Sequence, residues 1–168
     1  MINFFPQDVV RTRFGALVLI SLTLGCASES GRPCSLGTPR AIFSSEMPNV
    51  IQHRFEGSTQ TSTERIRLAN GTELTVEQSG CDQLTQLFQF ELPIDTLSLR
   101  SRTIGVFRMM GTQHPDLTTF GLFANAMDDV LPPEVVRNQP YELQPGMNFS
   151  VDELTFSEKQ VLRVRFTN

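Results

Sequence analysis

The sequence predicts an α+β domain in which an antiparallel sheet, in the order β-β-β-α-α-β-β, carries two helices packed on one face. Three observations lead there. After residue 40 the chain begins and ends in segments where apolar and polar residues alternate. Between Asp95 and Leu131, two segments repeat apolar residues at helical spacing. Gly, Pro and Asn punctuate the joins. Helices gathered on one face of an antiparallel sheet give this class of fold.

The first strand is VIQHRFE, in which Ile51, His53 and Phe55 alternate with Gln52, Arg54 and Glu56. TERIRLANGTELTVEQ follows as a hairpin around Asn70-Gly71. A two-residue turn would place Leu68 opposite Glu73 and so bury charge. A three-residue loop, Ala69 to Gly71, places Ile66 opposite Leu74 instead. It predicts a bulged hairpin with Gly71 in the left-handed conformation. After the turn signal Ser79 to Asp82, LTQLFQFELP puts Leu84, Phe88, Phe90 and Leu92 on one face, and Pro93 ends it. These segments form a meander of three or four strands.

Asp95 or Thr96 is the expected cap of the first helix, which runs to about Gly111 with Leu97, Ile104, Phe107 and Met110 as its apolar stripe. Gly105 costs about 1 kcal/mol against Ala there, pointing to a bend or close packing. Asp116 is the expected cap of the second helix, whose stripe is Leu117, Phe120, Ala124, Met127 and Leu131. Asp128 and Asp129 stand in its last turns, where the helix dipole disfavours negative charge. MNFSV, ELTF and VLRVRF then return to strand, with Leu162, Val164 and Phe166 facing inward.

The N-terminus carries a different signal. Phe14 to Leu24 is free of charge and follows Arg11 and Arg13. A helix of that length spans about 16 Å, roughly half a bilayer core. A basic start, a short apolar run and small residues at Gly25, Cys26, Ala27 and Ser28 read as a secretory signal peptide.

TLGCAS, Thr23 to Ser28, resembles the cleavage box of bacterial lipoproteins. The resemblance covers the first thirty or so residues. It implies cleavage after Gly25 and lipid attachment at Cys26, which becomes the mature N-terminus. Ala27 in the next position is similar to lipoproteins sorted to an outer membrane. Thr23 stands where that class usually has Leu. A second cut, with Gly25 and Ala27 as the small residues of ordinary signal cleavage, releases a soluble chain from Ser28.

The expected organisation is a signal peptide over 1–25, a lipidated N-terminus and tether over 26–40, and one α+β domain over 41–168. Glu29 to Pro39, rich in Ser, Gly and Pro, is the tether. With Cys26 acylated or removed, Cys34 and Cys81 remain as an even pair in an oxidising compartment, the expected disulfide. Closing that loop stabilises the fold by roughly 4 kcal/mol.

A net charge of −4 argues against nucleic-acid binding. No nucleophile elbow, phosphate loop or calcium loop occurs, and two Cys without a His pair lack a metal ligand set. No catalytic residue, cofactor or metal is assigned. His53 reads as a half-buried strand residue and His114 as a turn residue before a helix. Each would need a neighbouring carboxylate to serve as a general base. Arg65 and Arg67 face outward beside Glu73 and Glu77, as a cross-strand charge ladder or a docking surface.

The expected function is a non-enzymatic binding or assembly lipoprotein of the bacterial envelope, held to the membrane by its lipid and meeting an envelope protein partner. Three alternatives stand beside it: a soluble periplasmic or secreted inhibitor or immunity-type protein, a small hydrolase using a His and a carboxylate, and a purely structural lipoprotein.

Overall fold

A computed structural model describes residues 38–80 and 82–168. Four strands come first: β1 (Val50–Gly57), β2 (Thr61–Leu68), β3 (Glu73–Ser79) and β4 (Thr85–Pro93). Helix α1 (Leu99–Gln113), a 3-10 turn (Pro115–Leu117) and helix α2 (Thr118–Val130) follow. Three more strands close the chain: β5 (Tyr141–Gln144), β6 (Met147–Thr155) and β7 (Lys159–Thr167). All seven form one antiparallel sheet in the order β1-β2-β3-β4-β7-β6-β5.

The α+β class and the helical pair between two sets of strands match the sequence expectation, but the strand order is corrected. Four strands precede the helices and three follow them. MNFSV and ELTF are one strand, because Asp152 continues the alternation on the outer side of β6. The additional strand β5 has only four residues, too few for a period to show in sequence.

The first hairpin has the expected register. Ile66 stands opposite Leu74. The Leu68 N–H donates to the Thr72 carbonyl at 2.9 Å, and the Gly71 N–H donates to the Leu68 carbonyl at 2.9 Å. Gly71 sits at φ +84°, a conformation that costs glycine little. Asn70 Oδ1 accepts from the Thr72 N–H and closes the turn.

One face of the sheet and the inner sides of both helices make the core. Phe88 of β4 is its hub, with the rings of Phe107, Phe120 and Phe166 each 5.7 Å away, edge to face. Such pairs add about 0.5–1.5 kcal/mol each beyond the area they bury. The expected stripes are buried except at Leu97, which is 55% exposed because α1 begins after it.

The caps differ from expectation. Ser98 caps α1, accepting from the Ser101 N–H, while Asp95 accepts from the Leu97 N–H and from Arg102. His114 replaces Asp116: its Nδ1 accepts from the Asp116 N–H at 3.2 Å and caps the 3-10 turn. Asp128 is compensated from the other helix. Arg100 of α1 donates to the Leu131 and Asp128 carbonyls, at 3.0 and 2.7 Å, and to the Asp128 carboxylate. One guanidinium thereby satisfies carbonyls that the end of α2 leaves open.

The close approach between the helices lies at Gly111, not Gly105. A Cβ on Gly111 would meet the Gly121 backbone nitrogen at 2.5 Å, whereas one on Gly105 meets nothing within 4 Å. The two positions should therefore respond oppositely in urea unfolding. Gly105→Ala is expected to stabilise by about 0.5–1 kcal/mol. Gly111→Ala should destabilise by about 1–3 kcal/mol through forced separation of the backbones. Equal responses would mean that the helices do not touch at Gly111.

Candidate functional site

Cys26, Cys34 and Cys81, the residues assigned to lipid attachment and a disulfide, lie outside the described residues. The remaining candidates fall into two buried charge centres and one open sheet face.

Glu64 anchors the first centre. It shares the inward parity of Ile66 and Leu68 on β2 and is fully buried. Its Oε2 accepts from the Ile42 N–H at 2.9 Å and its Oε1 from the Phe43 N–H at 2.8 Å. The same Oε1 lies 2.8 Å from His53 Nε2 on β1. A buried carboxylate with three donors is satisfied where a lone one would be costly. Gln78 of β3 adds a fourth tie, donating to the Arg40 carbonyl at 2.8 Å. The residues from Arg40 to Phe43 are thus fastened across the inward face of β2 and β3.

This places an imidazole beside a carboxylate, as a His-dependent hydrolase would require. Both oxygens of that carboxylate, however, already serve backbone N–H groups, and the His53 side chain is 15% exposed. The arrangement holds a chain segment in place. His114 is likewise engaged, as the cap of the 3-10 turn, with Asp116 Oδ2 at 3.4 Å from its Nδ1.

Arg102 of α1 anchors the second centre. Its guanidinium meets Glu153 of β6, Asp95 and the Leu97 carbonyl, the last at 2.7 Å. Arg137 reaches the other Glu153 oxygen at 3.6 Å. Gln160 donates to the Pro93 carbonyl at 2.9 Å beside them. The group ties the start of α1 and the loop before β5 to the far side of the sheet. Above all through its bond to Arg102, and then through the Leu97 N–H, the Asp95 carboxyl is held below its usual pKa.

Sequence reading missed Glu64, Arg102 and Glu153. Parity was the available signal for the two acids: Glu64 continues the series of Ile66 and Leu68, and Glu153 that of Phe149 and Val151.

The opposite face of the sheet is polar. Arg65 and Arg67 point outward from β2, and Arg67 stands opposite Glu73 with 3.8 Å between Nε and Oε1. Glu77 turns to β4 instead, where it accepts from Gln89 Nε2 at 3.3 Å. The expected ladder therefore forms at one rung, and Arg65 faces Thr75. Among the described residues, no group of three or more His, Cys, Asp or Glu could hold a metal ion. No described helix is long and apolar enough to cross a membrane.

Fold and face together define an antiparallel α+β module with one sheet face covered by the helices and one that no described element covers. Compared with known proteins, the chain matches no family model, no curated protein and no solved structure.

Two outcomes follow from the buried centres. Glu64→Gln keeps one carbonyl acceptor but loses the charge, and should cost about 1–3 kcal/mol. Tryptic cleavage after Arg40 under native conditions should then accelerate; an unchanged rate would show that Glu64 does not hold this segment. Asp95 contributes to the acid limb. Its lowered pKa contributes stability that is full above the unfolded value of about 3.9 and is lost as pH falls through the folded value. Asp95→Asn should flatten the loss of Tm below about pH 4, and a limb as steep as the wild type's would refute this.

Proposed function

We propose that this chain is an exported, non-enzymatic binding or assembly module, displayed from a bacterial membrane by an acylated Cys26. The observation that carries the reading is the open sheet face. Helices and the segment from Arg40 to Phe43 cover the inward side, while the other side presents charged side chains from β1 to β6. His53 and His114 are both occupied in holding the fold. The lipoprotein-like box around Cys26 supplies the anchor, and Ala27 suits an outer membrane. The partner is a component of the envelope, brought near by the lipid.

A disulfide between Cys34 and Cys81 belongs to the same proposal. Thr38 and Gly80 line one depression at the rim of the sheet. Cys34 stands four residues before Thr38, and Cys81 follows Gly80. Four extended residues reach about 14 Å from Thr38, the span within which the two thiols would have to meet. Such a bond would pin the tether where it enters the fold.

The deciding measurement is the intact mass of the mature protein from the membrane and soluble fractions of a bacterial host. A membrane species beginning at Cys26 with added acyl mass is expected. A soluble, unmodified species beginning at Ser28 would replace the anchored reading with a periplasmic or secreted one. Thiol labelling of the denatured, unreduced protein should find neither Cys34 nor Cys81 free; labelling of both would remove the disulfide.

A further inference from the structure

The open face is ordered across the strands as well as along them. The register sets Arg54, Arg65, Thr75, Gln89 and Arg163 in one transverse row over β1, β2, β3, β4 and β7. The row meets its first carboxylate at Asp152 on β6. The acids stand to either side, with Glu73 and Glu91 in one neighbouring row and Glu56 and Glu77 in the other. A lane of cations and neutral hydrogen-bonding groups thus runs between two borders of mixed charge, with Arg67 beside Glu73 and Glu91 in one and Arg165 in the row of Glu56 and Glu77 in the other.

Arg54 and Arg65 are directly opposed, an arrangement that destabilises a sheet. Arg54 finds Glu56 at 2.6 Å, but the residue on the other side of Arg65 is Thr75. The two arginines and Thr75 line a shallow depression of about 230 Å³ together with Arg67 and Glu73. At the far end, Arg163 and Arg165 line a smaller one of about 120 Å³ with Ser150, Asn138 and the carboxylate of Asp152. Arg163 Nε donates to Gln89 Oε1 at 3.0 Å, which lays the arginine along the row. Three strand spacings, about 14 Å, separate Arg65 from Arg163.

We propose that this lane binds an acidic polysaccharide in which carboxylate-bearing sugars are spaced by neutral ones. The proposal rests on the reading of a binding module and names the class of its ligand. Guanidinium groups grip carboxylates through paired hydrogen bonds. The cationic ends are separated by a hydroxyl and an amide, which suit the hydroxyl-rich sugar between two acidic ones. A nucleic acid would call for a broad basic face and stacking aromatics. These three rows hold carboxylates and no aromatic side chain. An acidic peptide lacks the neutral, hydroxyl-rich unit that Thr75 and Gln89 would meet between the cationic ends, and polyglutamate is the comparison that tests it. The opposed arginines cost stability that a ligand would recover, as binding sites commonly do.

The test is calorimetric titration of the mature protein with a short hyaluronan oligosaccharide, in which glucuronate alternates with a neutral sugar. A neutral cello-oligosaccharide of equal length and polyglutamate serve as comparisons. Hyaluronan is expected to bind, to weaken as salt rises, and to lose roughly tenfold in affinity in both Arg65→Gln and Arg163→Gln. Arg65→Gln should keep or raise Tm while losing affinity, because it relieves the opposed charges. No binding at low salt, equal binding of the neutral glucan, polyglutamate binding as tightly, or wild-type affinity in both variants would each overturn the lane. A lipidated chain that fails to bind loses the lane and keeps the anchored module. An unlipidated chain that binds keeps the lane and loses the anchor.

Discussion

Six strand spacings of about 4.8 Å hold the two edges of this sheet about 29 Å apart, whereas two packed helices cover roughly 20 Å. The difference must be covered by something other than helix. On the β1 side the cover is the segment from Arg40 to Phe43, and Glu64 and Gln78 reach up from the sheet to hold it. On the β6 side it is the loop after Pro93 and the loop around Arg137, held by Glu153 through Arg102 and Arg137. Polar groups occupy inward positions where the helical roof ends. In the middle, beneath the helices, the inward face is Phe, Leu and Val.

Buried ion pairs are poor sources of net stability, since desolvation consumes much of their attraction. Here they decide position. An irregular segment has few apolar side chains to fix where it lies, and a buried carboxylate with two backbone N–H partners gives it one address. The Arg102 centre does the same for two loops at once. Its Nε has no partner among the described residues and is buried, so the arrangement was reached at some cost in satisfied hydrogen bonds.

The sequence made the regular parts legible, for reasons visible in single residues. Charge burial ruled out the two-residue turn at Asn70-Gly71, so the register of the first hairpin could be derived. The stripes from Ile104 to Met110 and from Leu117 to Leu131 marked the roof. The irregular cover stayed hidden. Glu64, Arg102 and Glu153 carry charges, and pattern reading sends charges to the surface. Only their parity with apolar neighbours, and partners distant in sequence, bring them inside. The exchange of caps at Ser98 and His114 had the same origin: Asp95 and Asp116 are good caps locally, but Arg102 had claimed the first, and the turn at Pro115 left the second inside a 3-10 helix. The transverse lane needs the alignment of four successive strand pairs, of which only one could be worked out beforehand.

The two ends of the described chain share a rim. The Leu84 N–H donates to Asn168 Oδ1 at 2.7 Å, and Leu84 also borders the depression that Thr38 lines. The path from Thr38 to Asn168 is therefore close to a closed ring. A short bridge could join these two residues, and the chain could be opened instead in the exposed stretch between α2 and β5, with every strand pairing kept. Cargo fused at Asn168 would leave from the rim that Thr38 also borders. The opposite rim, with the β2–β3 turn and the exposed Ile94 and Phe156, lies across the sheet from Asn168 and would stay clear of that cargo.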